Sequence, residues 1–199
     1  MSEVSLSEFE GPLTELRQQC ASKESGRSRF EEFKLWLKGA TSGLLEFVTT
    51  TTTSAVKRFA VADVLGCTGL NIDGLPIALL GDNFKAQFGN TVEENIPASE
   101  LLVSRLTRYA DAIEIAGAVP REKRAVRISQ VYQLVLNQER TGSGLLLTNG
   151  WANLFLAYGA DGNIWVVFIR RYSDGWYFYA NPLGGPVRWF DGSQVFSRK

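Results

Sequence analysis

Within residues 144–198 the dipeptide Asp-Gly occurs three times, as Asp161-Gly162, Asp174-Gly175 and Asp191-Gly192, each between runs of β-branched or aromatic residues. A tight hairpin turn needs backbone with positive φ, which glycine adopts without steric cost. The spacing predicts strands over Leu145–Thr148, Asn153–Tyr158, Ile164–Tyr172, Trp176–Ala180, Val187–Phe190 and Val195–Ser197. Turns are expected at 159–162, 173–175, 181–186 and 191–193. Together these give an antiparallel β-meander of four or five strands over 141–199.

Residues 30–140 carry the helical period instead. Phe30, Phe33, Leu37, Ala40, Leu44 and Phe47 recur at alternating steps of three and four, which places them on one helical face, although Gly39 and Gly43 interrupt it. The five consecutive threonines Thr49–Thr53 favour extended structure or a helix break, because a β-branched side chain is stiff at χ1. Val56, Phe59, Ala60 and Val64 fit another short helix. Glycines and prolines between 66 and 98 predict loops, with one short element at Pro76–Leu80. A helix is expected over 99–116, with Ser99 as its N-cap, Leu102, Leu106, Tyr109, Ile113 and Ala116 on one face, and Gly117 and Pro120 as a stop. Over 121–139, Ile128, Tyr132 and Val135 suit a helix whereas Tyr132, Leu134 and Leu136 alternate as in a strand; the length favours the helix.

The chain thus reads as three zones. Residues 1–29 are polar, with a short helix near Pro12–Cys20 and a loop over 21–28; residues 30–140 are mainly helical; residues 141–199 form the meander. The resulting fold class is α+β, a helical amino-terminal part followed by a meander that packs on the helices as one cooperative unit. At 199 residues with 45% apolar and 21% charged side chains, the chain is long and apolar enough to bury a core.

Function classes narrow by what is missing. The chain has no histidine, which removes Ser-His-Asp and Cys-His catalysis and every imidazole metal site. Cys20 and Cys67 belong to no CxxC pair, so no zinc ribbon or dithiol redox motif is present. Without histidine, Cys67 as a nucleophile would need a carboxylate or lysine base; a histidine-free hydrolase or transferase is the only enzyme reading left. The stretch Gly66–Gly74 has neither the Walker order nor the dinucleotide order of glycines, and no motif calls for a cofactor. Asp73, Asp82, Glu93 and Glu94 offer hard-cation oxygens but lack EF-hand spacing. The acidic, polar start and the absence of an apolar run of about 20 residues predict a soluble, cytoplasmic protein with no membrane contact.

Net charge is zero, with 21 basic and 21 acidic residues, yet it is uneven. Segment 121–140 holds five basic side chains against two acidic, and segment 61–120 holds three against eight. Aromatic side chains concentrate in the strand region. Residues 164–169 are apolar on both faces, so both must be covered. The next strand presents Trp176, Phe178 and Ala180 on one side and Tyr177 and Tyr179 on the other. Large rigid rings bury much area at low entropic cost, as interfaces require. The expected function is a non-catalytic interaction or assembly module that binds a protein partner or another copy of itself. Its candidate contact residues are Trp165, Arg170, Arg171, Trp176, Tyr177, Tyr179 and Arg188. Packing of the same residues beneath the helices is the competing reading. The alternative function is a nucleic-acid-associated factor that uses these rings for stacking and these arginines, with segment 121–140, for phosphate.

Overall fold

A computed structural model describes residues 43–65, 69–70 and 73–199. The expectations for residues 1–42, including the Pro12–Cys20 helix, the 21–28 loop and most of the Phe30–Phe47 face, lie outside the described residues, as do Cys20 and Cys67.

The fold is built on one large mixed sheet rather than on helices followed by a meander. Its strands are β1 (Leu45–Thr53), β3 (Gly69–Leu70), β4 (Pro76–Leu80), β6 (Ser99–Leu106), β8 (Asn153–Tyr158), β9 (Ile164–Tyr172), β10 (Gly175–Pro182) and β12 (Gln194–Arg198), in the order β1-β6-β12-β8-β9-β10-β4-β3. Two small ribbons flank it: β2 (Val56–Ala60) with β5 (Val92–Ile96), and β7 (Ala110–Asp111) with β11 (Arg188–Trp189). Four short α-helices complete the described residues: α1 (Val61–Leu65), α2 (Asp82–Phe88), α3 (Ala112–Ala118) and α4 (Ile128–Thr141). None is long and apolar enough to cross a membrane.

The expected meander holds for three strands. β8, β9 and β10 are consecutive antiparallel neighbours joined by the two predicted Asp-Gly turns. Gly162 adopts φ +74 in the first. Gly175 adopts φ +146 in the second, where a Cβ would stand 2.5 Å from the Pro76 carbonyl oxygen, so only glycine lets β4 approach. The fourth strand does not continue the series. After β10 the chain crosses one face of the sheet, contributes β11 and the buried Trp189, and returns as β12 between β6 and β8. β12 runs antiparallel to β6 and parallel to β8. Leu145–Thr148 is not a strand; Asn153 ties it down, accepting from Leu147 N at 2.8 Å and donating to Leu147 O at 3.0 Å.

The predicted helix over 99–116 is mostly the strand β6. Leu101 and Val103 turn to one side and Leu106 to the other, all buried, and both edges of β6 are paired, to β1 and to β12. The leucine spacing fits either period, and the two flanking strands decide it. The helix that does form, α3, starts later. Asp111 accepts from Glu114 N at 2.8 Å while Glu114 accepts from Asp111 N at 3.0 Å, a reciprocal capping box. Likewise Val56–Ala60 is strand β2, and the helical turn follows it as α1. Thr49–Thr53 is extended within β1, and Pro76–Leu80 is β4. Over 128–141 the helix prevails.

Both faces of the sheet are covered. On one, α4 packs Val131, Tyr132 and Val135 with Phe155, Val167, Trp176, Phe178 and Phe196. On the other, α3 and Trp189 pack Ile115 and Ala116 with Leu154, Leu156, Val166, Phe168 and Val195. Alternate residues of β8, β9 and β12 feed the two cores, which explains why residues 164–169 are apolar on both sides.

Candidate functional site

The β9–β10 register sets Tyr177 opposite Arg170 and Tyr179 opposite Phe168, on the α3 face. Full burial on that face ends at Phe168, whose ring meets Trp189 edge-on at 5.8 Å and stacks at 5.0 Å on Tyr179, itself partly buried against the same core. Beyond it the rings continue outward. Tyr179 stacks on Tyr177 at 6.2 Å, and Tyr177 meets Tyr172 edge-on at 5.0 Å. Tyr177 and Tyr179 are half-buried, Tyr172 is 40% exposed, and Leu79, opposite Tyr177 on β4, is exposed. Arg170 lies alongside, its guanidinium 5.8 Å from the Phe168 ring and donating to the Tyr172 hydroxyl at 3.2 Å. At the turn the Tyr177 hydroxyl donates to Asp174 at 2.6 Å. This bond and the adjacent negative charge raise the Tyr177 phenol above its ordinary value of 10.0. Tyr179 is raised by burial and by Tyr172, against the opposing pull of Arg170.

The other predicted residues lie elsewhere. Trp176 is fully buried on the α4 face; its indole N–H donates to Glu139 Oε1 at 2.8 Å, and Arg171 Nε donates to the same oxygen at 2.8 Å. The Arg171 guanidinium lies 6.0 Å from the Trp176 ring. These three side chains fasten α4 to the sheet. Glu139 and Arg171 also line an open cleft of about 620 Å³, together with Gln138, Thr148, Asn149 and Tyr172. Trp165 is half-buried, and its indole N–H donates to Asp161 at 3.1 Å within the β8–β9 turn. Arg188 is exposed on β11, 4.5 Å from the Tyr109 ring and 3.4 Å from Glu114. Of segment 121–140, residues 128–140 belong to α4, which packs on the face of the sheet opposite the tyrosines, and Arg124 donates to Val119 O at 2.8 Å.

A second aromatic cluster escaped the sequence reading. Tyr109 contacts Phe190 at 5.0 Å, and Phe190 meets Trp151 edge-on at 6.2 Å, all three exposed. Arg188 and Arg108 flank them, bridged by Glu114, whose carboxyl stays below the usual range: partial burial opposes this, but the Asp111 N–H and Arg108 outweigh it. Trp151 follows Asn149-Gly150 and Phe190 precedes Asp191-Gly192. Adjacency to a turn does not set them apart, since Trp176 also follows an Asp-Gly turn and is fully buried.

No protein family, curated protein or solved structure matches this chain. The site must therefore be read from its own chemistry. Among the described residues no group of three or more acidic or cysteine side chains is placed to hold a metal. Asp73 accepts from Tyr132 and from Arg140, and Glu93 accepts from Ile128 N and Ser129 N, each at 2.9 Å, at the start of α4. These carboxylates are engaged in structure.

Proposed function

We propose that the chain is a non-catalytic interaction module that docks a protein partner on the tyrosine-bearing end of its sheet, with Arg170, Tyr172, Tyr177 and Tyr179 as the contact residues. The observation that carries this reading is the place where full burial stops: three rings extend past Phe168 in mutual contact, with Leu79 exposed beside them. Each ring is held by its neighbour, so little side-chain freedom remains to be lost on docking. Phenol hydroxyls and the Arg170 guanidinium supply donors around an apolar surface, the mixture that protein interfaces favour. Trp176 and Arg171 support the same strands from beneath and make no contact with the partner.

The test is site-specific photocrosslinking in cells. A benzophenone side chain at Tyr179 is expected to give one discrete protein adduct, suppressed by excess unlabelled chain. The same group at exposed Lys57 gives none. An adduct at Tyr179 no stronger than at Lys57, or one that excess chain leaves unchanged, overturns the reading.

A further inference from the structure

The geometry points to a second copy of this chain as the partner of β1 on the edge that no described strand pairs: two copies pair β1 to β1, antiparallel, about a two-fold axis at Thr51. This surface is separate from the tyrosine face and stands without it.

The two ends of the large sheet are finished differently. One end closes on β3, which is two residues long. The other is β1, nine residues long and bonded to β6 on one side, with no further strand on its other side among the described residues. Edge strands that stay unpaired are usually short, or carry lysine or proline, since a long bare edge presents a row of free N–H and C=O groups. Leu45–Thr53 contains no lysine, arginine or proline, and Glu46 is its only charge. A bulge between Phe47 and Thr49 leaves Thr49–Thr53 as a regular run. Phe47, at 62%, is the most exposed of the large apolar side chains described, and Val48 beside it is exposed too.

The sequence of that run fixes the occupant. A strand that pairs with its own copy about a two-fold must be self-complementary. Five identical residues are self-complementary at their centre: Thr51 faces Thr51, Thr50 faces Thr52, and Thr49 faces Thr53. Threonine opposite threonine is a favourable cross-strand pair, through both its methyl and its hydroxyl, and here Thr51–Thr51 and Thr50–Thr52 supply it, since the Thr53 side chain is buried and bonded to Ser99 O. In this register Phe47 and Val48 of each copy come level with Ala55 and Ser54 of the other, just past the end of β1, where the Ser54 backbone is bonded to the Gln133 side chain.

Sedimentation equilibrium of the full chain over a concentration series tests this. The unsubstituted chain is expected to pass from its 22.0 kDa mass to twice that value; a mass that never rises overturns the proposal. The variant T50K/T52K sets lysine against lysine at two positions and is expected to weaken the dimer roughly tenfold or more. The variant T50K/T52E sets lysine against glutamate at the same two positions and is expected to hold the dimer within about threefold of the unsubstituted chain. Equal behaviour of the two variants overturns the register. The variant Y177A should dimerise normally; loss of the dimer there would move the interface to the tyrosine face. Amide exchange on the unsubstituted chain reads the same pairing without substitution. Amides within 49–53 should slow as the dimer forms, and unchanged exchange there overturns the proposal.

Discussion

Trp176 and Tyr177 are sequence neighbours that serve opposite faces of one strand, and a single substitution in each separates what they do. Trp176 is fully buried and bonded to Glu139, so Trp176→Ala is expected to lower stability by about 3–5 kcal/mol in urea unfolding. Tyr177→Ala, on the half-open face, should cost less than about 1 kcal/mol. The Tyr177 phenol also has a pH signature. Its folded pKa lies above the ordinary 10.0 because Asp174 accepts a hydrogen bond from the phenol and repels the phenolate. The contribution to stability is therefore complete below the ordinary value and lost as pH rises through the folded value. Asp174→Asn should bring the phenol down toward 10.0 in a spectrophotometric titration, and an unchanged titration would mean that Asp174 is not the cause. That the two residues face apart was legible from strand alternation alone. Which face would be covered was not, because the cover comes from α3 and Trp189, distant in sequence from β10.

At the scale of elements, two helix starts depend on carboxylates. Asp111→Ala removes one half of the α3 capping box and should cost about 1 kcal/mol. Glu93, buried on β5, accepts the first free N–H groups of α4 from a strand 35 residues earlier. Glu93→Ala leaves those two N–H groups without acceptors and should cost about 1–3 kcal/mol. Chemical unfolding measures both. The strands β8, β9 and β10 were readable because Asp-Gly turns between β-branched and aromatic runs are local signals. β6 was not, because leucines at 102 and 106 satisfy either period and the deciding hydrogen bonds come from β1 and β12. The Asp111–Glu114 pair reads in the sequence as an ordinary solvated i, i+3 pair; its capping role becomes visible only once the helix is known to begin after residue 111.

Across the whole molecule, both cores run through β12. Val195 enters the α3 side and Phe196 the α4 side, where it stacks on Phe155 at 4.6 Å. Without β12, the pair β1–β6 has no bonded neighbour that joins it to β8–β9–β10. Phe196→Ala should therefore cost about 3–5 kcal/mol and weaken both halves in one cooperative transition, which hydrogen exchange in β6 and in β8 would show together. The placement also sets a timetable for biosynthesis. A ribosome delivers residues 194–198 after every other strand of the sheet, so the nascent chain holds two open borders, on β6 and on β8, until the closing strand arrives.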